Sequence, residues 1–144
     1  MNLETMKPGK ELGNDELRER IIGAVIHVHT ELGPGFLESI YEEALSVELR
    51  YLGIEFERQK PVPIFYRAHP IGEHRIDLLV ERSIVVELKA ITTLEDVHFA
   101  ILRSYLKALG LSDALLFNFA ATRLTIKRVG REFHSRAIEE DVSF

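Results

Sequence analysis

The sequence predicts an α/β fold, a mixed β-sheet flanked by helices. Three observations carry this reading. Apolar residues recur at helical spacing in the N-terminal part, as in Leu17, Ile21, Val25 and Val28. The middle of the chain changes period to short segments rich in Val and Ile, bounded by turn residues. A third helical segment then stands between two apolar strands, which allows a crossover joining parallel strands. Helices packed on a sheet that mixes this crossover with an antiparallel meander are the natural result.

The elements follow in order. Residues 1–13 contain Pro8 and Gly9 and read as a flexible N-terminal tail, and residues 14–144 as a single domain. Asn14 or Asp15 is suited to cap the first helix, with acids Asp15, Glu16 and Glu19 near its start. Ile22, Ile26 and Leu32 widen its apolar stripe, and Gly33-Pro34-Gly35 stops it. A second helix spans roughly Leu37 to Leu52, with Leu37, Ile40, Tyr41, Ala44, Leu45 and Leu49 as its buried stripe. Gly53 is the expected left-handed residue that ends it.

Ile54–Arg58 and Val62–Tyr66 read as strands interrupted by Pro61 and Pro63, prolines that point to a sheet edge or a bulge. Ala68 to Gly72 reads as a turn. His74–Val80 and Ile84–Lys89 are the clearest strands, followed by a helix from about Leu94 to Leu109 that ends at Gly110. Ala114–Asn118 and Leu124–Arg128 are two further strands.

Residues 75–89 read as a hairpin that carries chemistry. With Glu81-Arg82-Ser83 as its loop, Val80 pairs with Ile84, Leu78 with Val86 and Ile76 with Leu88, giving an apolar face. On the other face Asp77 stands opposite Glu87, and Arg75 opposite Lys89, with directly opposed Cβ atoms ~5 Å apart. A two-residue loop would slip the register and separate the two acids. The apolar residues do not choose between the registers, because Leu79 and Val85 fall on the polar face either way; the chemistry chooses. Facing carboxylates repel, and a cation between them removes that cost; oxygen ligands of this kind suit Mg2+ or Mn2+, with the Leu88 carbonyl as a further oxygen. Lys89 projects from the same side as Glu87 and is placed to orient water and stabilise charge on a phosphate. The competing reading is a surface ladder of ordinary salt bridges.

Composition narrows the rest. The absence of cysteine excludes disulfides and thiolate metal sites and fits a reducing cytoplasm. No apolar run is long enough to cross a membrane, and the N-terminus lacks a signal-peptide core, so the expected location is cytoplasmic. A net charge of −5 counts against a protein that coats nucleic acid, but a local basic patch would suffice for phosphate. Arg123, Lys127, Arg128, Arg131 and Arg136 are the candidates. His27 and His29, two apart on a helix, point about 200° from each other and cannot easily share a metal; both read as structural or surface residues.

Gly35-Phe36-Leu37-Glu38-Ser39-Ile40-Tyr41 forms a G-x-x-E-x-x-Y motif, and Arg75–Val80 and Val85–Ala90 lie downstream of it. With these motifs, residues 17 to 130 resemble the GxxExxY family of the PD-(D/E)XK nuclease superfamily. The resemblance implies a restriction-endonuclease-like fold and a Mg2+- (or Mn2+-) dependent nuclease or nuclease-like domain acting on DNA or RNA. It implies Asp77 and Glu87 as metal carboxylates, Lys89 as the superfamily lysine, and Glu38 as an acid brought near the metal by a helix. The expected catalytic set is thus Glu38, Asp77, Glu87 and Lys89, with Asp77, Glu87, Leu88 and Glu38 holding the metal. Tyr41, Arg75 and Tyr105 are the expected supporting or substrate-binding residues, although core packing alone accounts for Tyr41.

The third helix departs from the pattern. The family usually carries glutamine followed four residues later by tyrosine; here the pair is Ile101 and Tyr105, and Ile101 cannot hydrogen-bond. His98, a lone histidine, reads as packing or capping. Two alternatives therefore stand beside the nuclease: a degenerate module that binds nucleic acid or protein, and an oligomerisation module pairing through exposed strand edges.

Overall fold

The computed structural model describes residues 13–131 and 140–141. The expected tail, all but Gly13, and Arg136 lie outside the described residues. Helix α1 runs Asn14–Leu32 and α2 Glu38–Tyr51. Then come β1 (Phe56–Tyr66), β2 (His69–Val80), β3 (Ile84–Lys89), α3 (Asp96–Leu109), β4 (Asp113–Asn118), β5 (Thr125–Gly130) and the short β6 (Glu140–Asp141). The six strands lie in the sheet in chain order. Only β3 and β4, the pair joined through α3, run parallel; every other neighbouring pair is antiparallel. The expected mixed α/β architecture is the observed one.

The sheet is covered on both faces. Leu17, Ile21 and Val25 of α1 and Tyr41, Leu45 and Leu49 of α2 pack with Leu78, Val80, Val86, Leu88, Leu115 and Phe117. On the other face Leu102, Tyr105 and Leu106 of α3 pack with Leu79, Val85, Ala114, Leu116 and Val129. This corrects the reading of Leu79 and Val85 as stranded on a polar face: α3 makes that face a second core. Among the described residues no helix is long and apolar enough to cross a membrane.

Several boundaries differ from expectation. Gly13, not Asn14 or Asp15, is the N-cap of α1. The Asn14 side chain instead donates to Asp113, and Arg18 joins Asp15 to Asp113, so the start of the helix is tied to the start of β4. In α2 the expected stripe is too wide at its start. Leu37, the N-cap residue, and Ile40 are exposed, whereas Glu42 and Ser46 are buried. Gly53 does end α2 at φ 74°, and Ile54 N–H donates back to the Leu49 carbonyl at 2.9 Å.

The two short proline-bearing strands are one strand, β1, at the edge of the sheet, where missing N–H groups cost no ladder bond. The turn that follows is shorter than Ala68–Gly72. Arg67 and Ala68 take φ 48° and 66°, and Tyr66 pairs directly with His69.

Candidate active site

The β2–β3 hairpin has the three-residue loop: Val80 pairs with Ile84, Leu79 with Val85 and Leu78 with Val86. Past Leu78 the regular alternation of β2 breaks. Ile76 packs in the α3-side core, not beside Leu88 as expected. The break falls at Asp77, and from there side chains connect the strands. Asp77 N–H donates to Glu87 Oε2 at 2.8 Å, and Leu88 N–H donates to Asp77 Oδ2 at 2.8 Å. Each carboxylate thus takes the place of a ladder carbonyl of its own strand and accepts an N–H from the strand opposite, which fixes both carboxylates close together. In an extended strand a residue's N–H and C=O project to the same side, so the Leu88 carbonyl faces the edge that Asp77 occupies.

The electrostatics follow from this placement. Glu87 is buried, only 7% exposed, and its pKa is pushed up to about 8, first by burial and then by the charge of Asp77. The bond from Asp77 N–H and the Lys89 ammonium oppose that rise, while Glu38 adds to it. Asp77 is also raised, chiefly by burial and secondly by Glu42, against the lowering effects of Leu88 N–H, Lys89 and Gln59. Tyr105 is pushed up to about 12 by burial and by the charges of Glu87 and Asp77. Its ring meets His74 edge-on at 4.8 Å.

Glu38 arrives at the end of β3 from the first turn of α2. Its Oε2 accepts Ala90 N–H at 3.0 Å, just past Lys89. Asn118 secures the same segment from β4: it accepts Ile91 N–H at 3.1 Å and donates to the Ile91 carbonyl at 2.9 Å. The structure therefore gathers Asp77, Glu87, Lys89 and Glu38 around the end of one strand.

Other expected residues stand elsewhere. Tyr41 is fully buried and stacks on Phe119 with ring centroids 4.1 Å apart. Its hydroxyl donates to the Gly33 carbonyl at 2.6 Å and accepts Phe36 N–H at 3.2 Å, so it braces the turn before α2 and offers nothing to a substrate. Arg75 pairs across β1 with Pro61, not with Lys89, and donates to the Gln59 carbonyl at 2.9 Å. Ile101 is 37% exposed on α3. His98 accepts Glu95 N–H in a capping box, His29 is bonded to the Ala121 carbonyl, and His27 is exposed. Lys127 and Arg128 are neighbours on β5 and so point to opposite faces, which divides the expected basic patch.

Sequence reasoning passed over Glu42, Arg58 and Gln59. Arg58 donates to Glu42 and Glu43, and Gln59 donates to Glu42 at 2.7 Å and to Asp77 at 3.4 Å. One signal was available: Glu42 lies one helical turn from Glu38, on the same face.

The donor set of Asp77, Glu87 and the Leu88 carbonyl is all oxygen and includes two carboxylates held close together. That chemistry fits a hard divalent cation such as Mg2+ or Mn2+. It fits as a two-carboxylate site. Among the described residues no group of three or more His, Asp or Glu side chains is arranged to hold an ion; Glu38 stands beside the pair, its Oε2 on Ala90 N–H.

The family model described as the PD-(D/E)XK nuclease superfamily matches residues 15–129. No curated protein and no solved structure matches the chain.

Proposed function

This chain belongs to the PD-(D/E)XK nuclease superfamily, and on that footing we propose that it is a Mg2+- or Mn2+-dependent nuclease-like domain of the GxxExxY type, hydrolysing phosphodiester bonds of DNA or RNA. The observation that carries the proposal is the interlocked pair. Asp77 and Glu87 are each bonded to the other strand, and burial and mutual repulsion hold Glu87 at about 8, with Lys89 next along β3. A purely structural role gives no reason to bury two adjacent acids at that cost.

Asp77, Glu87 and the Leu88 carbonyl would hold the cation. When bound, it supplies Lewis acidity and makes a water more acidic. Lys89 faces both carboxylates; its ammonium donates to the water or to a phosphate oxygen and offsets the charge that develops as water attacks phosphorus and the ester oxygen departs. Glu38, by holding Ala90 N–H, fixes the strand end that carries Lys89.

A Mg2+ and Mn2+ series against single- and double-stranded DNA and RNA tests this. The reading expects cation-dependent cleavage that Asp77→Asn and Lys89→Ala each abolish. Cleavage by neither ion on any substrate contradicts catalysis. One observation favours a second reading, a non-catalytic module that binds nucleic acid: Ile101 offers no side-chain hydrogen bond. Salt-sensitive binding without turnover would select it.

A further inference from the structure

The strongest unexplained feature outside the carboxylate pair is the backbone of Gln59. Its φ is 48°, the left-handed region, which a residue with a Cβ rarely adopts. No inserted residue accounts for this. Arg58 pairs with Leu78 and Lys60 with Ile76, so β1 and β2 keep the same count through the kink. Gln59 lies between those pairs on β1, as Asp77 does on β2, at the point where Ile76 departs to the opposite core.

The kink is held, not loose. Arg75 Nη1 donates to the Gln59 carbonyl at 2.9 Å. The side-chain Nε2 donates to Glu42 Oε1 at 2.7 Å and lies 3.4 Å from Asp77 Oδ1. Glu42 is itself buried, 7% exposed, and receives Arg58 Nε at 3.1 Å and Nη2 at 3.0 Å. The amide thus sits between two acids whose charges oppose each other, and a neutral group with two N–H donors suits both. A strand residue with ordinary φ would pair the hairpin equally well without the strain. Strain of this kind persists where surrounding contacts over-determine it, and it clusters at working sites.

We propose that Gln59 is a positioning residue: its amide clamps the Asp77 carboxylate against the Glu42–Arg58 ion pair, so that one Asp77 oxygen meets Gln59 and the other meets Leu88 N–H. The proposal rests on the reading of Asp77 as a cation ligand. The orientation of Asp77 can be measured without a cation.

The test compares the wild type with Gln59→Gly, which removes the amide and relieves the left-handed strain, and with Gln59→Asn, which tolerates positive φ but is one methylene too short. Hydrogen exchange of Leu88 N–H is read against Val86 N–H on the same strand, in metal-free protein, so that general loss of stability cancels from the ratio. The expected result is a Leu88-to-Val86 ratio raised about fivefold or more in both variants, corresponding to loss of one hydrogen bond's protection. In parallel, Mn2+ affinity is expected to fall about tenfold or more, as when an outer partner of a ligating carboxylate is removed. A ratio unchanged from wild type in both variants overturns the role of Gln59. Failure of the wild type to bind Mn2+ overturns the cation reading instead, and the exchange ratio still decides the clamp.

Discussion

The carboxylates of Asp77 and Glu87 are each bonded to a backbone N–H of the other's strand and not carboxylate to carboxylate: Glu87 Oε2 takes the Asp77 N–H at 2.8 Å, and Asp77 Oδ2 takes the Leu88 N–H at 2.8 Å. The arrangement holds two negative groups together without a neutralising bond between them. The cost appears in the proton affinity of Glu87.

Glu87 therefore makes stability depend on pH in a defined direction. Its pKa rises from an ordinary 4.5 to about 8 on folding. Between those values the folded protein keeps a proton that the unfolded chain has released, so stability falls as pH rises through that window. The slope from this one group is at most about 1.4 kcal/mol per pH unit, and the loss is complete above about 8. Urea unfolding at pH 5 and at pH 8 measures it. Glu87→Gln is expected to shrink the difference between the two conditions and to be the more stable protein at pH 8. An equal difference in both proteins would contradict the placement of Glu87.

Lys89 opposes the rise in both carboxylates. Lys89→Met is expected to move the Glu87 titration upward from its wild-type midpoint, read from the side-chain carboxyl carbon by NMR. A midpoint that stays in place would mean that the ammonium does not face the pair.

Tyr41 tests a structural role against a catalytic one. Tyr41→Phe leaves the Gly33 carbonyl and the Phe36 N–H without their partner, and is expected to cost about 1–2 kcal/mol in urea unfolding. Any cleavage activity per folded molecule should be unchanged. A large activity loss at full stability would restore Tyr41 to the site.

Asn118 is expected to matter more than its place in an apolar strand suggests. Its amide reproduces a backbone pair with Ile91 and so extends the hold on β3 beyond Lys89. Asn118→Ala should cost about 1–3 kcal/mol and speed hydrogen exchange at Ile91. Protection retained at Ile91 would refute this.

The mixed sheet and the hairpin loop were legible because they follow from local chemistry, whereas the order of the strands came only with the structure. Glu81-Arg82-Ser83 gives the one register that brings the two acids together, and that register is present at Val80–Ile84. The crossover through α3 followed from a helix between two apolar strands. The details around Asp77 were not legible. Strict alternation puts Ile76 beside Leu88, but the kink at Gln59 and Asp77 sends Ile76 to the other core, and no residue type announces a glutamine at positive φ. Nor does a sequence of alternating residues reveal that a second helix layer covers Leu79 and Val85. Apolar spacing puts Leu37 and Ile40 in the buried stripe of α2, but Leu37 is the N-cap and both are exposed, while Glu42 and Ser46 are buried.

The central claim is that Asp77 and Glu87 form the ligand pair of a divalent cation. Calorimetric titration with Mn2+ at pH 8, for wild type and for Asp77→Asn, tests it most directly. Saturable binding by the wild type, lost or weakened at least tenfold in a folded Asp77→Asn, is the predicted result. Absence of binding by the wild type, or equal binding by both proteins, would contradict it.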